Sequence, residues 1–222
     1  GVQEGEVIMH PFVTKAIERA QKRVEAHNFE IRKHLLDYDN VMNQQREVVY
    51  GLRNEALDEE DISTRMRELI ETKVDAILEA RAGAGMSAEA RDIPGLATDL
   101  QTLLLGPVDL ARFGREGTHE ELRAACLEHA AAAYRQREQV FTPERMREIE
   151  RRVQLMILDE KWRDHLYEID HLRGGIGLRA YGQRDPLLEY KAEAFRMFEE
   201  LMTAIEDETV RLLFRVMPAA PA

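Results

Sequence analysis

The stretch VTKAIERAQKRVEAHNFEIRKHLLDYDNVMNQQREVVYGLRNEAL, residues 13–57, decides the fold. Neither glycine nor proline falls between Pro11 and Gly51, and good helix formers fill most of the interval. Apolar positions recur at Val13, Ile17, Ala20, Val24, Ile31, Leu35, Tyr38, Met42, Val49, Leu52 and Ala56, with His27 and Gln45 as polar interruptions. The mean advance of about 3.6 residues describes a nearly straight rod, whereas ~3.5 would impose a left-handed supercoil. At ~1.5 Å per residue such a rod is roughly 65 Å long. Phe29, Leu36, Val41 and Val48 lie off the stripe, so the rod offers apolar surface on more than one side. Ile31, Leu35, Tyr38 and Met42 are therefore expected to pack. The polar knot DYDN, residues 37–40, reads as a solvated face or as contacts to a missing partner. A catalytic carboxylate pair there has no pocket in the sequence to serve it.

Working outward, residues 1–60 comprise a lead-in segment and the rod, and 61–141 a smaller helical region. Residues 142–216 make a long helical hairpin, and 217–222 a tail. The middle region carries a helix at 62–81, a break through AGAGMSAEARDIPGL, and a short helix at about 96–105. A third helix opens at His119 behind the capping box of Thr118 and Glu121. Thr142-Pro143-Glu144 starts the hairpin with an N-cap, a proline in the first turn and an acid. Its first helix shows Met146, Ile149, Val153, Ile157, Leu158, Trp162, Leu166, Ile169 and Leu172, and is expected to end at RGGIGLRAYGQRDP, residues 173–186. Its second shows Leu188, Phe195, Phe198, Met202, Ile205, Leu212 and Val216. The expected class is all-α.

The chain has 222 residues and a net charge of −11, which disfavours general nucleic-acid binding because the phosphate contribution would be repulsive. One cysteine, Cys126, excludes an internal disulfide and any cysteine-rich zinc site, and points to a reducing cytoplasm. No apolar run approaches the ~20 residues of a membrane span. The opening GVQEGEVIMHP reads like the middle of a longer protein. Familiar catalytic patterns fail. HEELR at His119 has Arg123 where a zinc protease needs its second histidine. Glu168-x-x-His171 lacks the partners of a di-iron bundle, and no phosphate loop exists. The sequence thus gives no catalytic, cofactor or metal residue. Its most distinctive polar stretch is the hairpin tip, where Arg173, Arg179 and Arg184 stand with Ile176, Leu178, Tyr181 and Gln183 and no acid. A basic tip with apolar side chains asks for a partner, unless it tucks against the chain's own acidic helices.

Two long motifs carry a resemblance. HPFVTKAIERAQKRVEAHNFEIRKHLLDYDNVMNQQREVVY resembles the helical scaffold of the SecA preprotein translocase family. LDEKWRDHLYEIDHLRGGIGLRAYGQRDPLLEYKAEAFRMFEEL, from Leu158, resembles that family's two-helix finger, and DIPGL at 92–96 its helical wing. The resemblance implies that residues 61–141 are the wing and 142–216 the scaffold return and finger. It also implies a place in an ATP- and magnesium-dependent motor that threads unfolded preproteins through the SecYEG channel from the inner face of the plasma membrane. The rod would contact the parent chain's nucleotide-binding and preprotein cross-linking domains, and Tyr181 would touch the moving polypeptide. Nearby arginines could meet channel loops or anionic lipid. Nucleotide-binding motifs are missing from these residues, so no ATP hydrolysis is expected of them alone. The rival reading is an all-helical adaptor that binds partner proteins through the rod.

Overall fold

The computed structural model describes residues 11–113, 117–179 and 185–218, with side chains described at all of these but 34 and 177–179. Among the described residues there are six α-helices, two short 3-10 turns and no strand. The helices are α1 (Pro11–Asp58), α2 (Ser63–Ala82), α3 (Ile93–Leu104), α4 (His119–Phe141), α5 (Pro143–Arg179) and α6 (Pro186–Arg215).

The expected rod is α1, 48 residues long and therefore about 72 Å from end to end. Only its second half is packed. From Tyr38 onward one stripe turns inward, with Gln45, Val49 and Ala56 buried and Tyr38, Met42 and Leu52 partly so. Upstream of Asp37 every residue whose side chain is described is exposed. Ile31 and Leu35, expected to pack, are each 46% exposed, because among the described residues none of the apolar clusters extends to them.

The helices of the α2–α4 unit start on local side-chain hydrogen bonds. Asp61 accepts the Ser63 N–H at 2.8 Å at the start of α2. Met66, Ile70, Val74, Leu78 and Ala82 then fall on one buried face. The capping box of α4 is complete, with Glu121 N–H to Thr118 Oγ1 at 3.1 Å and Thr118 N–H to Glu121 Oε2 at 2.9 Å. α3 starts three residues earlier than its apolar pattern suggests. Asp92 accepts the Gly95 N–H at 2.9 Å, and Pro94 fits the first turn, where no amide donor is needed. Arg81 bridges Asp92 and Asp99, tying α2 to that start. Arg123, which breaks the zinc-protease pattern, forks onto Asp75 and Glu71 of α2 and clamps α4 to it.

α5 and α6 form the hairpin, and three apolar clusters run along it. At its base, Met146, Val210, Leu213 and Phe214 share one core with Met66, Leu78, Leu100 and Leu122 of the α2–α4 unit. In the middle, Ile157, Leu158, Trp162, Leu201 and Ile205 pack on Val49 of α1. Farther out, Ile169, Ile176, Tyr190 and Ala194 pack with Tyr38, Val41 and Met42. α1 lies antiparallel to α5: Arg53 pairs with Asp159 at 3.1 Å, and Asp39 with Arg173 at 3.2 Å. Residues 11–36, exposed wherever their side chains are described, therefore run past the outer cluster for roughly 39 Å at ~1.5 Å per residue.

α5 does not stop at Arg173. It continues through Gly174 and Gly175 to Arg179, so this arm has 37 residues. An added Cβ at either glycine would meet nothing within 4 Å, and neither has a positive φ. The glycines are helical and solvent-facing, not a turn.

Candidate functional site

The outer end of the hairpin, where the sequence places its partner-seeking residues, is built by three helices. Tyr38 of α1 and Tyr190 of α6 meet with ring centroids 4.7 Å apart, tilted by 58°. Burial pushes the Tyr190 phenol above its ordinary value. Arg173 donates from Nη1 to Asp39 at 3.2 Å. The DYDN knot thus meets this chain's own hairpin: Tyr38 supplies an aromatic contact and Asp39 an ion pair. A groove of about 420 Å³ follows this seam, lined by Asp39, Asn43, Arg46, Asp170, Arg173 and Tyr190 among others.

The expected tip residues divide accordingly. Arg173 is half exposed and paired with Asp39. Ile176 is 5% exposed and belongs to the outer apolar cluster. This corrects its reading as an exposed tip residue: the helix continues through the glycines and turns its side chain onto Tyr190 and Ala194. Leu178 and Arg179 lie within α5, and their side chains are outside the described residues. Tyr181, Gln183 and Arg184 also lie outside the described residues. Beyond them α6 restarts with Asp185 accepting the Leu187 N–H at 2.9 Å and Pro186 in the first turn. Of the packing residues, Trp162 is buried, and Tyr38 and Met42 are partly buried.

Two buried polar nodes were not read from the sequence. Gln45 looked like a break in the apolar stripe. It is 6% exposed and donates from Nε2 to the Ala194 carbonyl of α6 at 3.0 Å. Its Oε1 accepts from His165 Nε2 of α5 at 2.8 Å. His165 stacks on Trp162, centroids 5.6 Å apart, with Phe198 at 6.0 Å. Burial pushes the His165 pKa down to about 4, so the ring is neutral at physiological pH and carries its proton on Nε2. The available signal was a lone glutamine in register with an apolar stripe.

The second node joins the base of the hairpin to the α2–α4 unit. Arg147 contacts Glu138, Tyr134 at 3.0 Å, Asp61 at 3.3 Å and Glu150 at 3.1 Å. Tyr134 donates to Glu150, a fully buried carboxyl. Burial raises the Glu150 pKa to about 7, against the opposing pull of the Tyr134 hydrogen bond and the Arg147 charge. Thr142, the single residue between α4 and α5, has φ 66°, unusual for a β-branched residue.

Exposed apolar side chains concentrate on the first half of α1, with Phe12, Val13, Ile17, Val24 and Phe29 besides Ile31, Leu35 and Leu36. Others stand on the outer hairpin surface, at Tyr167, Leu188 and Phe195. No helix among the described residues is long and apolar enough to cross a membrane. No group of three metal-ligating side chains gathers among them.

Comparison with known proteins gives one consistent result. A family model described as the SecA Wing and Scaffold domain matches residues 7–217. The protein translocase subunit SecA of Desulforamulus reducens is 44% identical over 226 residues, covering 100% of this chain and 25% of that protein. The corresponding subunit of Pelotomaculum thermopropionicum is 46% identical over 222 residues, again covering 100% of this chain and 25% of its own length. That of Acidithiobacillus ferrooxidans is 41% identical over 226 residues with the same coverages. The chain spans about a quarter of the length of these curated relatives.

Proposed function

The chain belongs to the SecA family, matching its wing and scaffold domain, and from that premise we propose that it is the scaffold and polypeptide-engaging part of a protein translocation motor. The observation that carries this reading is identity of 44% and 46% to translocase subunits along the entire chain. The geometry is compatible in two respects. The hairpin is anchored at its base by a shared apolar core and along its length by α1, so force applied at its far end would be borne by packed helices. The far half of α1 exposes apolar side chains over more than one side, as expected of a rod gripped by further domains of a longer parent.

In this reading α1 with α5 and α6 is the scaffold, α2–α4 the wing, and the outer hairpin the two-helix finger. Its partners are the SecYEG channel, an unfolded preprotein, and the nucleotide-binding and cross-linking domains of the parent. ATP and magnesium are bound by the parent's other domains, and these 222 residues have no catalytic site of their own. The motor works at the inner face of the plasma membrane, where the tip arginines could also meet anionic lipid. Tyr181 offers a sequence-independent substrate an apolar face with one polar handle. The adaptor reading is not favoured, since every relative above is a translocase subunit. Binding of the full-length parent to reconstituted SecYEG, competed by the isolated chain, tests the proposal. Failure of the wild-type parent to bind the channel would refute it.

A further inference from the structure

We propose that Gln45 and His165 act as a pin that fixes the register of α1 on the α5–α6 hairpin, so that rod and hairpin move as one body and the exposed half of α1 works as a lever. The register part stands on geometry alone; the lever part rests on the motor reading above.

Apolar packing specifies this register weakly. The buried stripe of α1 repeats every three or four residues, through Tyr38, Met42, Val49, Leu52 and Ala56. Sliding α1 by one turn, ~5.4 Å, would again set apolar side chains against apolar side chains. The surface ion pairs at either end, Asp39–Arg173 and Arg53–Asp159, are half exposed and screened, and long side chains can follow a slide. Gln45 cannot follow. Both of its amide groups are committed, the nitrogen to the Ala194 carbonyl at 3.0 Å and the oxygen to His165 at 2.8 Å. A one-turn slip would leave the amide and the imidazole N–H unpaired among Trp162, Phe198 and Val49, where neither is solvated. One polar group among apolar neighbours is a known means of fixing helix register.

The node touches all three helices at once, and stacking of His165 on Trp162, with Phe198 tilted against it, holds the ring in the orientation that serves Gln45. With the register fixed at residue 45, residues 11–36 form a rigid arm beyond the outer cluster. Displacement of that arm is passed to the hairpin instead of being lost in sliding.

The test places nitroxides at Glu25→Cys and Lys191→Cys, both exposed, in the full chain and measures their distance distribution by pulsed electron resonance. The native Cys126 is fully buried, and burial pushes its thiol up to about 11, so it stays unlabelled. The pin predicts one narrow distance in wild type. It predicts a second population displaced along the helix by about one turn in Gln45→Leu, and retention of the narrow distance in His165→Gln, which keeps a donor. A Gln45→Leu distribution that superimposes on wild type overturns the proposal. If that variant does not fold, His165→Leu is read the same way, and loss of folding in both shows a core-packing role and also overturns it. In the full-length motor, Gln45→Leu is expected to keep channel binding and basal ATP hydrolysis and to lower preprotein transport at least fivefold. Unchanged transport alongside a shifted register removes the lever. A wild-type parent that does not bind the channel removes the motor reading and leaves the register result standing.

Discussion

Replacing Glu150 by glutamine should change how stability depends on pH, in a direction set by its burial. Glu150 is completely buried at the α4–α5 joint, and its pKa rises from an ordinary 4.5 to about 7. A carboxyl with a raised folded pKa binds its proton more tightly when folded. Its contribution is complete below about pH 4.5 and is lost as pH rises through 7. At 1.36 kcal/mol per pH unit, that interval is worth roughly 3 kcal/mol. His165 acts in the opposite sense. Its pKa falls from 6.5 to about 4, so its contribution is complete above pH 6.5 and is lost as pH falls through 4. The two slopes oppose each other between pH 4.5 and 6.5, and wild type should show little net dependence from this pair. Glu150→Gln removes one of them. Urea denaturation followed by far-ultraviolet circular dichroism, at half-unit steps from pH 4.5 to 7.5, gives wild-type minus variant stability. That difference should fall by roughly 3 kcal/mol over the range, the remaining carboxylates cancelling. A difference independent of pH would refute the assignment of a raised pKa to Glu150.

Other outcomes follow from the same packing. Leu35→Asp should change the stability of this chain by no more than about 0.5 kcal/mol, whereas Val49→Asp, which buries a charge at a 1% exposed site, should cost at least ~3 kcal/mol; thermal melts separate them. Gly174→Ala and Gly175→Ala should each stabilise by about 0.5–1 kcal/mol, since both sites are helical with room for a methyl group; lowered melting temperatures would place them in a turn instead. Tyr181→Ala in the full-length parent should lower preprotein transport while leaving folding and basal ATP hydrolysis nearly intact, and Tyr181→Phe should be milder. Unchanged transport would remove its role.

Much of this architecture was legible because helix signals are local. The glycine-free run predicted α1, the Thr118–Glu121 box predicted the start of α4, and Pro143 marked the first turn of α5. Two errors share one cause, the weight given to glycine and proline as breakers. Asp92 and Pro94 open α3, and Gly174 and Gly175 sit inside α5, where flanking helix formers and packing of Ile169 and Ile176 outweigh their intrinsic cost. Periodicity marked which face of α1 is apolar but not what covers it. Ile31 and Leu35 satisfy the same spacing as Tyr38 and Met42, and only tertiary contact distinguishes them. The buried nodes were illegible for the same reason: Gln45 and His165 lie 120 residues apart, and nothing local marks them as partners.

The central claim, that the outer hairpin engages a moving polypeptide, is tested most directly by a photo-crosslinker at position 181 of the full-length parent, stalled with a preprotein inside reconstituted SecYEG. The account predicts crosslinks to the preprotein that require ATP and the channel. Crosslinks confined to the parent chain itself, under conditions where transport proceeds, would contradict it.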